Sequence, residues 1–120
     1  MIENLRNLCE NWLEDLRYSY NTLYPDDKPI IITSGYRSPE VNRLAGGSAT
    51  SNHLTGCAVD IRVTGFEQAI RYASILLDIS DGTKRDYDEL FIERNKAGSH
   101  WIHFAVRPTG NRRKTDFLKV

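Results

Sequence analysis

The sequence predicts a small α+β domain, a mostly antiparallel sheet with helices packed on one face. Three observations lead to that class. Apolar residues recur at three- and four-residue spacing from Leu5 to Leu23, the period of an amphipathic helix. Short β-branched or alternating runs follow at 29–34, 57–63, 89–93 and 100–106, which is strand patterning. The elements then come in the order helix, strand, helix, strand, helix, strand, strand, so the last two strands are expected to pair antiparallel as a hairpin.

Each element has its own justification. Leu5, Leu8, Cys9, Trp12, Leu13, Leu16, Tyr20 and Leu23 form one apolar stripe on the first helix. Tyr24-Pro25-Asp26-Asp27 stops it, because the residue before a proline is biased away from helix. Pro29-Ile30-Ile31-Ile32-Thr33-Ser34 reads as a buried strand, ended by Gly35. Ser38 is placed to cap a helix with Pro39 at its first position, and Val41, Leu44 and Ala45 are its expected buried side. Residues 46–51 are a polar Gly/Ser loop. Along 57–63, alternation puts Ala58, Asp60 and Arg62 on one strand face and Val59, Ile61 and Val63 on the other. Phe66, Ala69, Ile70, Ala73, Ile75, Leu76 and Leu77 mark the next helix, and 81–85 a turn. Residues 94–99 are a loop of hairpin length. The tail after Pro108 is basic and polar, expected as a short edge element or a loosely held end anchored by Phe117 and Leu118.

With 120 residues the chain is expected to be one domain, 1–120, large enough for a hydrophobic core without disulfides. Sixteen basic and sixteen acidic residues cancel. That excludes bulk electrostatic attraction to nucleic acid or to an acidic membrane. Cys9 and Cys57 make no disulfide scaffold and read as small buried residues. Met1-Ile2-Glu3-Asn4-Leu5-Arg6 has no secretory signal pattern. No apolar run approaches the ~18 residues of a membrane helix, so the expectation is a soluble chain.

The chemistry concentrates in Ser51-Asn52-His53-Leu54-Thr55-Gly56-Cys57-Ala58-Val59-Asp60 and in His100-Trp101-Ile102-His103. His53 leaves a flexible loop, and Gly56 lets the chain turn sharply after it. Asp60 on the face of a short apolar strand is costly unless paired or bound to a cation. The plain alternative is a surface histidine with Asp60 paired to Arg62. His103, between Ile102 and Phe104, could likewise be a hydrogen-bonded core residue. Yet two imidazoles and one carboxylate are what a catalytic zinc takes from protein, with a fourth position open. With only three histidines in the chain, the coincidence favours a metal-dependent hydrolase.

Ser-x-His-x-x-Gly-x-Ala-x-Asp followed by Trp-x-His resembles the zinc D-Ala-D-Ala carboxypeptidase family, whose superfamily includes D-Ala-D-Ala dipeptidases and phage L-alanyl-D-glutamate endolysins. Thr33-Ser34-Gly35-Tyr36-Arg37-Ser38-Pro39-Glu40-Val41-Asn42 resembles its upstream block, and Asp88-Glu89-Leu90-Phe91-Ile92-Glu93 the strand before its last ligand. The likeness runs from about Ile30 to Val106 and is nearest to the short single-domain branch. It implies a hedgehog/DD-peptidase fold and one Zn2+ held by His53, Asp60 and His103. It implies Arg37 near the substrate carbonyl, where a guanidinium stabilises an oxyanion or clamps a carboxylate. Ser51 is implied as a substrate-binding hydroxyl, and Trp101 as pocket wall. Their plain alternatives are an Arg37–Glu40 ion pair and a capping hydroxyl at Ser51.

One position departs from the pattern. Many relatives carry Glu or Asp three residues before the last ligand as general base; here it is His100. An imidazole can do that proton transfer, but an offset of three on a strand reverses the face. Glu93, across the hairpin, is the rival base, and Asp88 a weaker third. Arg112-Arg113-Lys114 reads as a solvated cluster. The resemblance thus implies a peptidase acting on peptidoglycan stem peptides, as carboxypeptidase or endolysin-type endopeptidase. Its expected setting is the cell wall, reached either by release at phage lysis or after removal of an export signal, as a monomer with no nucleic acid and no membrane insertion. The alternatives are a non-catalytic zinc- or cell-wall-peptide-binding module, and a structural domain with no metal.

Overall fold

The computed structural model describes residues 1–25 and 27–120. The helix stop expected over Tyr24-Pro25-Asp26-Asp27 includes Asp26, which lies outside the described residues. The N-terminal helix runs as α1 (Ile2–Leu8), a wider π-type turn (Cys9–Leu13) and α2 (Glu14–Leu23). Leu8, Trp12, Leu16 and Tyr20 are all buried and lie four residues apart. In a plain α-helix each such step drifts by about 40°. The wider turn takes up that drift and keeps the four on one face. Cys9, expected on that face, is exposed instead, one position off the buried row. Cys57 is buried.

β1 (Ile32–Ser34) is shorter than expected and is not buried. It is an edge strand with a register irregularity, and Ile31 and Ile32 stay exposed. α3 (Pro39–Leu44) starts as the sequence indicates, with Ser38 Oγ accepting from the Val41 N–H at 3.2 Å. Its inward side is different. Val41 and Leu44 are exposed and Asn42 is buried. The helix covers loop backbone rather than core: Asn42 Nδ2 donates to Ser48 O at 2.8 Å, and the Gly47 N–H donates to Asn42 O. A Cβ at Gly47 would sit 2.1 Å from Asn42 Oδ1, so a side chain there would push the Asn42 carboxamide away from Ser48 O.

A 3-10 turn (Asn52–Thr55) leads into β2 (Ala58–Arg62). α4 (Phe66–Thr83) extends through Gly82, past the start of the expected turn, and ends on Lys84 in left-handed conformation. β3 (Glu89–Arg94) and β4 (His100–Ala105) form the expected antiparallel hairpin. The tail is an ordered strand, β5 (Lys114–Lys119), parallel to β3. The sheet order is β1-β2-β4-β3-β5. It is mixed, with three antiparallel pairings and one parallel, where a mostly antiparallel sheet was expected. Among the described residues no helix is long and apolar enough to cross a membrane.

Period-two alternation divides the sheet. Val59, Ile61, Leu90, Ile102 and Phe104 pack beneath α1, α2 and α4 in one core. Trp12 meets Phe104 at 5.1 Å between ring centroids, and Tyr20 meets Tyr72 edge-on at 4.9 Å. Each buried Val, Leu, Ile or Phe of this core stabilises the fold by roughly 1.5–3 kcal/mol. The opposite face carries the odd-numbered residues of β3 and β4 and the even-numbered ones of β2: Asp60, Glu89, Phe91, Glu93, Trp101 and His103.

Candidate metal centre

Three elements bring the site residues together. The 3-10 turn carries His53, with Ser51 Oγ accepting from the His53 N–H at 3.2 Å. Gly56 closes the turn at φ +73°. A Cβ there would lie 2.9 Å from Met1 O, so glycine serves both the turn and the close approach of the N-terminal helix. β2 carries Asp60 and β4 carries His103, directly opposite each other in register. The two strand residues are therefore neighbours by sheet pairing, and His53 closes over them from the loop.

The geometry is that of converging ligands. One ligand atom from each of His53, Asp60 and His103 lies within 4.8 Å of the others. His53 Nε2 is 3.5 Å and His103 Nδ1 is 3.3 Å from Asp60 Oδ1. Ligand atoms bound tetrahedrally at zinc distances are about 3.3–3.6 Å apart. The ring orientations are set from behind. His53 Nδ1 donates to Gly35 O at 2.7 Å, which leaves Nε2 as a lone pair aimed at the cluster. That atom is buried and has no hydrogen-bond partner among the described residues. An unsatisfied buried acceptor beside a carboxylate is costly, and a cation at the cluster would satisfy it. The donor set and this orphaned nitrogen fit zinc, which His53, Asp60 and His103 could hold.

Electrostatics follows the same arrangement. Burial works to raise the Asp60 pKa, but the imidazoles of His103 and His53 outweigh it and hold the carboxyl well below its usual range. Burial opposes the charged form of His103, yet Asp60 and Glu89 raise it to about 9. Glu89 is held low despite its burial, by His103 and Asn52. Glu93 is shifted the other way: burial pushes it up, partly offset by His103 and the Trp101 N–H.

The remaining expected residues fall on two sides. Arg37 Nη2 donates to Asp60 Oδ2 at 3.1 Å, and its Nε to Ser34 Oγ at 3.1 Å. It pairs with Asp60, not with Glu40, and Asp60 takes Arg37 rather than Arg62. Glu93 is half-buried and accepts from Trp101 Nε1 at 2.8 Å. Arg37, Ser51, Glu93 and Trp101 line a cleft of about 260 Å³ with the three cluster residues. His100 is elsewhere. Its ring stacks on Phe66 of α4 at 5.2 Å, on the helix face of the sheet, because β4 is regular from His100 onward and an offset of three reverses the face. Asp88 is fully buried and bonded by Arg112 and Asn52, with Arg107 in ion-pair contact at 3.2 Å. Arg112 and Arg113 are correspondingly not a free solvated cluster. Arg113 Nη2 donates to Asp81 Oδ1 at 2.6 Å.

Two participants were not singled out from sequence. Glu89 Oε1 lies 2.9 Å from His103 Nε2. Asn52 Nδ2 donates to Glu89 Oε1 at 2.7 Å and to Asp88 Oδ2 at 2.8 Å, while its Oδ1 accepts from Arg107 Nε. Strand parity held the signal for Glu89, since it shares a face with Glu93 and with Phe91, the register partner of His103. No sequence pattern marked Asn52.

The family model described as Peptidase M15 matches residues 4–90. That span includes Arg37, Ser51, His53 and Asp60; Glu93, Trp101 and His103 lie beyond it and join the cluster through sheet register. No curated protein matches the chain. With nearly three quarters of its length matched, the chain belongs to the peptidase M15 family, the zinc D-Ala-D-Ala carboxypeptidase-like family.

Proposed function

We propose that this chain is a zinc-dependent peptidase hydrolysing peptide bonds in peptidoglycan stem peptides, as a D-Ala-D-Ala carboxypeptidase or an endolysin-type endopeptidase. The observation that carries the reading is the convergence of His53 Nε2, Asp60 Oδ1 and His103 Nδ1, with His53 Nε2 buried and unpartnered. Zinc bound there would supply Lewis acidity toward the scissile carbonyl and toward water.

The chain's own residues divide the rest of the work. Glu93 is the general base. Its Oε1 is fixed by Trp101 Nε1–H, which leaves Oε2 to take a proton, and burial raises its proton affinity toward the range a base needs. On the sheet it sits diagonally from His103, a spacing of roughly 7–8 Å that leaves room for a water between them. Arg37, anchored by Asp60 and Ser34, keeps guanidinium N–H groups for a substrate carbonyl or carboxylate. Ser51 accepts from the turn backbone, so its own O–H is free to donate to the peptide. Trp101 walls the cleft. The same reading takes residues 1–120 as one domain of the hedgehog/DD-peptidase fold, working as a monomer on the cell wall after phage-type release.

Elemental analysis of purified wild type and His103→Ala tests the metal. About one zinc per wild-type chain and far less in the variant is expected; no zinc in either, after supplementation, removes the proposal. Muropeptide digestion then tests the reaction. Release of free D-Ala marks a carboxypeptidase, and cleavage within the stem an endopeptidase. Zinc-replete protein that binds muropeptides without cleaving them would instead mark a non-catalytic binding module.

A further inference from the structure

Glu89 lies outside the three candidate ligands and outside the base assignment, yet it has the shortest contact to His103. Its Oε1 is 2.9 Å from His103 Nε2, on the side of the ring away from Asp60. We propose that Glu89 is the positioning residue of the metal centre: it accepts the His103 Nε2–H and so presents Nδ1 to the metal.

This contact fixes both the tautomer and the rotation of the His103 ring. A histidine can offer only one ring nitrogen to a metal, and the hydrogen bond at the other nitrogen decides which. A carboxylate at Nε2 selects Nδ1 and makes the ring a stronger donor than a neutral acceptor would. The ring is also fixed in rotation, with Phe91 stacked on it at 5.4 Å and 15° between planes. Glu89 does not float. Asn52 Nδ2 donates to the same Oε1, and Asn52 is itself held by Asp88 and Arg107. Asn52 directly precedes His53. One carboxamide therefore ties the turn that carries one candidate ligand to the carboxylate that orients the other. Glu93 has no such place: it lies four residues along β3 and is bonded to Trp101.

The inference rests on the zinc reading, and the test separates the two. Zinc dissociation constants are measured by chelator competition for wild type, Glu89→Gln and Glu89→Ala, with the visible spectrum of the cobalt(II)-substituted proteins. Wild type should bind zinc. Glu89→Ala should bind roughly 10–100-fold more weakly with an altered cobalt spectrum. Glu89→Gln, which keeps an acceptor oxygen, should recover much of the loss and the wild-type spectral shape. Nitrogen-15 shifts of His103 in zinc-loaded wild type should show Nε2 protonated and Nδ1 metallated, a readout that needs no variant to fold. Wild-type binding with an unchanged constant in Glu89→Ala, or metallation through Nε2, overturns this inference and leaves the zinc site standing. A wild type that takes no zinc overturns both.

Discussion

At the scale of single residues, strand parity separates the candidate bases Glu93 and His100. Glu93 is on the cleft face and His100 on the helix face, although both border the hairpin loop. Glu93→Gln is expected to lower kcat by roughly 10²–10⁴-fold, the contribution of a positioned general base, while zinc content stays at the wild-type level. His100→Ala is expected to keep both zinc and kcat near wild type. Steady-state hydrolysis of a muropeptide, with metal analysis of the same samples, checks the pair. A reversed pattern would move the base to His100. Arg37 belongs to the same scale: its contact with Asp60 keeps a cation at the carboxylate and the rest of its donor fork toward the cleft.

At the scale of elements, local sequence rules decide where helices begin better than which side they bury. Ser38 and Pro39 start α3 as their chemistry requires, but its apolar residues face outward and Asn42 faces in. The cap is thus a local stabiliser with no part in the cleft. Ser38→Ala is expected to destabilise the fold by about 1 kcal/mol, seen as a lowered denaturant midpoint with unchanged zinc content. An unaltered midpoint would show that α3 is held by Asn42 and Gly47 alone. The N-terminal helix makes the complementary point. Its buried row of Leu8, Trp12, Leu16 and Tyr20 is read directly from spacing, whereas the wider turn at Cys9–Leu13 that aligns the row is not.

At the scale of the whole molecule, Asp88 joins the parts. Fully buried ahead of β3, it takes Arg112 from the approach to β5, Asn52 from the His53 turn and Arg107 from beyond β4. Burial alone would raise its pKa, but the Arg112 and Asn52 hydrogen bonds and the Arg107 charge hold it well below the usual carboxylate range. A carboxyl depressed in the folded state contributes stability above its unfolded pKa of about 3.9, and loses it as pH falls below that value. Thermal melts of wild type and Asp88→Asn should therefore diverge at neutral pH, with wild type higher. The gap should close as pH drops below about 4. Parallel curves down to strong acid would remove Asp88 as the acid-sensitive link.

Sequence alone determined what depends on near neighbours in the chain. Apolar period located the long helices, alternation assigned Asp60 and His103 to strand faces, and the Gly-hinged turn placed His53 beside them. Those faces follow from a fixed geometric repeat, but alternation alone left a paired Asp60 and a core His103 equally open, and it was the motif resemblance that marked the three as candidate ligands. Tertiary structure decided what depends on pairing across distance. The parallel docking of β5 on β3 turned a tail into an edge strand, and it drew Arg112 onto a buried carboxylate that no local pattern pairs with it. The exposure of Ile31, Ile32 and Cys9, and the contact of Glu89 with His103, were settled in the same way. Register and packing partners are set by the summed fit of separate segments, and such sums leave no mark at the individual positions they govern.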